Sequence, residues 1–126
     1  RKLLLTPHEG EFLRIAPDTS DCALLETCKI YGCACALKSS ITRISDGKNI
    51  VRSTRGSPVL SRAGSGDILA GLSGALMCNP NLQSPMDAGI CASQWLGISA
   101  EKAFYSACSE APLASSDIIK FISSGL

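Results

Sequence analysis

The chain has 126 residues, enough for one modest domain with its own core. Twelve basic and eleven acidic residues leave a net charge of +1, spread along the sequence, which argues against a nucleic-acid or membrane-surface role driven by a basic patch. No apolar stretch reaches the ~18–20 residues of a membrane span. No signal peptide is visible either, but the chain starts at Arg1 and enters an apolar run at once, so it is expected to be a piece of something longer.

Leu3-Leu4-Leu5 is short and apolar and ends at Thr6-Pro7, which predicts a buried strand opening into a loop. The loop carries His8, Glu9, Gly10 and Glu11. In open α/β sheets ligands gather beyond the carboxyl ends of strands, so this loop is well placed for binding. A surface histidine, followed by two solvated glutamates early in a short helix, is the plain alternative. Pro17-Asp18-Thr19-Ser20 supplies a helix start, Cys22 to Tyr31 has helical apolar spacing, and Gly32 stops it. Cys33 to Leu37 is an uninterrupted small apolar run, expected to be a strand buried on both faces. It ends at Lys38-Ser39-Ser40-Ile41-Thr42, so Lys38 is a second polar residue at the end of a central strand. A lysine there can equally be reaching for water. Thr42–Ser45 and Asn49–Arg52 flank Asp46-Gly47, a hairpin signal.

Gly56 to Gly71 is the stretch with the most chemistry in it. Gly64-Ser65-Gly66 leaves the backbone almost bare before a helix expected over Ile68–Met77. The first amides of that helix lack intrahelical acceptors, and the helix dipole adds partial positive charge, a combination that suits a phosphate. Asp67 would be repelled by a bound polyphosphate unless it has a separate job, and taking a proton from an attacking hydroxyl is such a job. An ordinary loop with an acidic cap is the competing reading. Beyond Asn79-Pro80-Asn81, Ser84-Pro85 restarts a helix through Met86–Gly97 with Trp95 and Leu96 toward the core. A further helix is expected over Ala100–Cys108, and a last one, capped by Ser115 or Ser116, through Asp117 to Phe121. Strand, helix, strand, hairpin and then helices make an α/β fold. Seven cysteines without a Cys-x-x-Cys, beside a single histidine, fit neither a disulfide framework nor a zinc site. They are read as small buried hydrophobes in a reducing cytoplasm.

Leu5-Thr6-Pro7-His8-Glu9-Gly10-Glu11 resembles the Leu-Thr-Pro-His-x-Gly-Glu signature of the ATP/ADP-dependent NAD(P)H-hydrate dehydratases, repair enzymes with a ribokinase-like fold. Ala36 to Thr42 is similar to the family's Leu-Lys-Gly-x-x-Thr segment, and Leu60 to Gly71 to its Gly-Ser-Gly-Asp-Val-Leu-Ala-Gly turn and helix. Pro85 to Gly97 and Ser116-Asp117-Ile118-Ile119 fall where the family has comparable helices. The resemblance covers nearly the whole chain, with three motifs in order. Three positions depart from the pattern: Ser39 replaces a glycine, Ser57 an asparagine, and Leu96 the histidine of a His-Gly pair.

The resemblance implies that residues 1–126 are the C-terminal portion of one ribokinase-like domain, a three-layer α/β/α sandwich whose N-terminal portion, with a further cleft-lining Asp-Ala-Asp segment, is absent. It implies that His8 contacts the hydrated nicotinamide dinucleotide. Lys38, Ser39, Ser40, Ile41 and Thr42 would line the adenine nucleotide's pocket, and Gly64, Ser65 and Gly66 would hold its phosphates. Asp67 would face the substrate as the base. In that scheme ATP or ADP phosphorylates the ring hydroxyl, and the ring nitrogen's lone pair expels phosphate to restore NADH or NADPH. Amide donors and Mg2+ would stabilise the phosphoryl group. No protein metal ligand is assigned. A cytoplasmic homo-oligomer is implied, with no nucleic-acid or membrane partner. The alternatives are a ribokinase-like kinase of a small alcohol or vitamin precursor and a non-catalytic truncated remnant. The fragment by itself is expected to be inactive, because half the cleft wall lies outside it.

Overall fold

A computed structural model describes residues 2–56, 60, 64–107 and 114–122. Its elements are β1 (Leu4–Leu5), α1 (Glu9–Phe12), α2 (Asp21–Tyr31), β2 (Ala34–Leu37), β3 (Thr42–Ser45), β4 (Ile50–Ser53), α3 (Ser65–Met77), α4 (Pro85–Ser106) and α5 (Ser115–Ile122). The four strands form one sheet in the order β1-β2-β3-β4. β1 pairs parallel with β2, with Leu4 beside Ala34 and Leu5 beside Cys35, while the two later pairings are antiparallel.

Alternation along β2 decides what covers each face. Cys35 and Leu37 pack with Leu5, Phe12, Leu24 and Cys28 on the α2 side. Ala34 and Ala36 pack with Leu4, Ile44, Met86 and Ile90 on the α4 side. Helix, sheet and helix therefore form the three layers expected of an α/β/α sandwich. A third apolar cluster, Leu69, Ala92, Leu96, Ala100 and Ile118, joins α3, α4 and α5.

Local signals set most boundaries. The Ser20 hydroxyl accepts from the Ala23 amide at 3.1 Å to start α2, and Gly32 ends it at φ 59°. Ser84 and Asp87 form a reciprocal capping box that opens α4 directly at Pro85. Asp21 at the start of α2 lies between Arg43 and Arg52, which are directly opposite each other on β3 and β4. Two like charges in that register would repel, and the shared carboxylate removes the conflict while tying α2 to the hairpin. The Arg43 hydrogen bond, helped by Arg52, holds Asp21 below the usual carboxylate range.

Several expectations shift. The hairpin turn holds four residues, Asp46–Asn49, because the Asp46 carboxylate accepts from the Lys48 and Asn49 amides at 2.8 Å each. β1 is half-buried at the sheet edge and shorter than Leu3–Leu5. α3 starts at Ser65, three residues before the predicted Ile68. The two helices predicted over Met86–Gly97 and Ala100–Cys108 are one continuous 22-residue helix, α4. Gly97 is not a stop. A Cβ there would lie 2.7 Å from the Arg55 Cβ and 2.8 Å from its carbonyl carbon and oxygen, so glycine lets the β4–α3 connection cross the helix. Leu96 is buried as expected, whereas Trp95 is half-buried and donates from Nε1 to the Ile122 carbonyl at 3.0 Å. Cys28, Cys33 and Cys35 are buried, but Cys22, Cys78 and Cys91 are exposed, so the role of small core hydrophobe belongs to only part of the set. Ser57 and Cys108 lie outside the described residues.

Candidate functional site

The parallel pairing of β1 with β2 carries both chains on, side by side, beyond their carboxyl ends. The Lys38 amide donates to the Pro7 carbonyl at 2.8 Å, and His8 and Lys38 form one further parallel bridge. Two residues thirty positions apart in sequence are thereby neighbours at the strand ends where open sheets collect ligands.

His8 is held in place by its own backbone. Its Nδ1 accepts from the Glu11 amide at 3.1 Å, and Glu11 Oε2 accepts from the His8 amide at 2.8 Å, a capping box at the start of α1. Since Nδ1 is an acceptor, the neutral ring carries its proton on Nε2, 3.5 Å from Glu11 Oε1. The His8 amide, with the charge of Lys38 behind it, draws the Glu11 carboxyl below its ordinary value. Glu11 is thus the residue that orients the imidazole.

The turn before α3 faces the same space. Gly64 adopts φ 91°, a left-handed conformation that favours glycine, and offers no side-chain cap. The Ser65 hydroxyl donates to the Leu60 carbonyl at 2.6 Å. Gly66 and Asp67 stand in the first helical turn, where amides have no intrahelical acceptor and the dipole is positive. A Cβ on Gly66 would lie 2.6 Å from Lys38 Nζ, so the ammonium group sits directly on the bare backbone of the turn. Two sources of positive potential coincide there, a lysine charge and a helix N-terminus.

These segments enclose a cavity of about 890 Å³. His8, Lys38, Ser39, Ser40, Thr42, Gly64, Ser65, Gly66 and Asp67 all line it. Ile41 does not: it is 44 % exposed, and its carbonyl accepts from the Ser39 hydroxyl at 2.7 Å. The cavity also has walls that sequence reasoning passed over. Ser53 lies opposite Thr42 across β3 and β4, is 4 % exposed, and its hydroxyl has no hydrogen-bond partner among the described residues. The hairpin signal at Asp46-Gly47 was the one clue that could have paired these two. Thr54, Arg55 and Gly56 follow. Glu101 of α4 fixes this strip, accepting from Arg55 Nη1 and from the Gly56 amide at 3.1 Å each. Leu60, Leu69 and Leu96 supply an apolar side.

Chemically, the arrangement offers a cationic, amide-rich cradle at one end, a carboxylate beside it, an oriented imidazole and a hydroxyl-lined wall. That set can hold a phosphate chain and bring a hydroxyl up to it. Among the described residues no three His, Cys, Asp or Glu side chains are grouped to hold a metal ion, and no helix is long and apolar enough to cross a membrane.

The chain is 26% identical over 110 residues to the ADP-dependent (S)-NAD(P)H-hydrate dehydratase of Cenarchaeum symbiosum, a match covering 82% of this chain and 38% of that protein. Its fold is similar to a Bacillus subtilis ADP/ATP-dependent NAD(P)H-hydrate dehydratase co-crystallised with ATP/Mg2+ (TM-score 0.73, 21% identity, 98% of this chain and 48% of the other). It is equally similar to the hydroxyethylthiazole kinase of Pyrococcus horikoshii (TM-score 0.74, 22% identity, 98% and 48%). The sandwich is therefore ribokinase-like, and the chain spans less than half the length of each of these proteins. A family model described as NAD(P)H-hydrate dehydratase matches residues 1–123, and with that breadth of match the chain belongs to the NAD(P)H-hydrate dehydratase family.

Proposed function

We propose that this chain supplies one wall of an active site that returns hydrated NADH or NADPH to the reduced cofactor at the expense of ATP or ADP. The observation that carries the proposal is the convergence of His8, Lys38 and the Gly64–Asp67 turn on one cavity, from three separate segments of the chain. In this reading the amides of Gly66 and Asp67 and the Lys38 ammonium bind the nucleotide's terminal phosphates. Thr42, Ser40 and Ser39 border the nucleoside, and the oriented His8 contacts the hydrated nicotinamide. Asp67 takes the proton of the ring hydroxyl as its oxygen attacks the terminal phosphorus, and the shortened nucleotide leaves. The ring nitrogen's lone pair then breaks the carbon–oxygen bond and expels phosphate. Loss of a proton from the neighbouring ring carbon completes the dihydropyridine.

The residues fit Mg2+ only as a passenger of the nucleotide. With a single carboxylate at the cradle, the ion would be held chiefly by phosphate oxygens and water, a habit of magnesium in phosphoryl transfer, and would supply charge neutralisation there. The enzyme is proposed to work as a cytoplasmic homo-oligomer, a form supported by family resemblance alone.

The test uses the natural full-length polypeptide. Nucleotide-dependent recovery of reduced-nicotinamide absorbance from the hydrate is expected, and Asp67→Asn should abolish it while nucleotide affinity stays within a few-fold. A full-length protein that binds the hydrate yet never regenerates the cofactor overturns the proposal. Accumulation of a phosphorylated alcohol without elimination would make it a kinase.

A further inference from the structure

Outside that cavity, the described residues include a concentrated group of nucleophiles that the proposed reaction does not use. α2 ends in a left-handed glycine, Gly32, and the Cys33 amide reaches back to the Cys28 carbonyl at 3.1 Å. This six-to-one hydrogen bond is the mark of a Schellman helix end, which brings the side chains of its first and last residues into contact. Here both side chains are thiols. Standard bond lengths and that N···O distance keep the Cα atoms of Cys28 and Cys33 within roughly 7 Å, the outer limit for a disulfide.

Both residues line a second cavity of about 370 Å³, whose rim includes Lys29, Asp46, Lys48 and Ser84. Cys28 is 1 % and Cys33 6 % exposed, and among the described residues that cavity gives a small reagent its approach to them. Cys35 packs against Cys28 from the core side, is fully buried and does not line the cavity.

We propose that Cys28 and Cys33 form an oxidation-sensitive dithiol site that closes to a disulfide on exposure to a small peroxide. The Cys28 sulfur attacks one peroxide oxygen of hydrogen peroxide, the O–O bond breaks, and Cys28 becomes a sulfenic acid with release of one water. The Cys33 sulfur then attacks the Cys28 sulfur, the S–O bond breaks, and a second water leaves as the S–S bond forms. Two thiols are oxidised by two electrons and one peroxide is reduced. The order of attack follows from the surroundings. Hydrogen bonding from Cys35 draws the Cys28 thiol below its ordinary value even though that thiol also donates to the Ser45 carbonyl at 3.6 Å, whereas burial pushes Cys33 up to about 11. Cys28 is the better first nucleophile and Cys33 the resolving thiol. The bond would staple the end of α2 to the residue before β2, the strand whose far end carries Lys38.

The test treats the full-length protein with hydrogen peroxide, alkylates remaining thiols and digests with trypsin without reductant. Cleavage after Arg14, Lys29 and Lys38 puts Cys28 on one peptide and Cys33 on the next. The two peptides should appear linked, with fragmentation placing the bond at Cys28 and Cys33, and dithiothreitol should separate them. Cys33→Ser should remove the link, while Cys22→Ser and Cys35→Ser should keep it. Because Cys35 is a core residue, wild-type fragmentation decides the matter if Cys35→Ser fails to fold. A link from Cys28 to Cys35, or peroxide consumption confined to the exposed Cys22, Cys78 and Cys91, overturns the proposal.

Discussion

Gly66→Ala separates the site from the scaffold more cleanly than any other single change. Gly66 lies within α3, where alanine is intrinsically favoured by up to about 1 kcal/mol, so the substitution should leave Tm unchanged or slightly raised. Its new Cβ would nonetheless fall 2.6 Å from Lys38 Nζ, well inside van der Waals contact, and the mobile ammonium must retreat by close to an ångström. With an effective dielectric of about 20, moving a unit charge from about 3 to about 4 Å from a phosphate oxygen weakens the attraction by about 1.4 kcal/mol, a tenfold loss of affinity. Titration calorimetry of ADP or ATP against the full-length protein, beside a thermal melt, reads both quantities. Lys38→Ala removes the same interaction, so adding Gly66→Ala to it should cost little more, which a double-mutant cycle measures. Unchanged nucleotide affinity in Gly66→Ala would refute the reasoning. So would a full tenfold loss that persists in the Lys38→Ala background, since displacement of the ammonium could not then be the cause.

Gly97→Ala should behave in the opposite way, because its Cβ meets the Arg55 main chain, which Glu101 holds. A backbone cannot swing aside as a lysine tip does, and a loss of about 1–3 kcal/mol is expected in chemical denaturation. Ser53→Ala should stabilise the ligand-free protein by up to about 1 kcal/mol, read as a rise in Tm, since it removes a buried hydroxyl that lacks a partner among the described residues. The Glu11 half of the His8–Glu11 box should be insensitive to pH above the ordinary glutamate range, because the folded carboxyl titrates lower still. Its contribution is present above that range and is lost as pH falls through the depressed folded value. Hydrogen exchange at the His8 amide should accelerate only there, and not in Glu11→Gln, which has no charge to lose.

Local chemistry could be read from residues that act on their neighbours. Ser20, Gly32, Ser84 with Pro85, and Asp46-Gly47 each satisfy or release nearby backbone groups, so their meaning survives without knowledge of the fold. The glycine-rich turn before a helix is of the same kind, and its neighbours His8 and Lys38 could be placed because parallel strands open at one end. Distance along the chain hides the rest. Gly97 looks like a helix stop until Arg55 is seen crossing it. Ser53 looks like any strand serine until its register with Thr42 puts it on the cavity wall.

The sequence by itself determined an α/β framework with a bare-amide turn opening a helix, because amide exposure, helix starts and strand ends follow from adjacent residues. Only the tertiary structure decided that the Lys38 ammonium rests on Gly66 and that the Cys28–Cys33 helix end opens onto a separate cavity. The first of these depends on side chains from remote segments competing for one volume. The second depends on which face of a helix end the rest of the molecule leaves open.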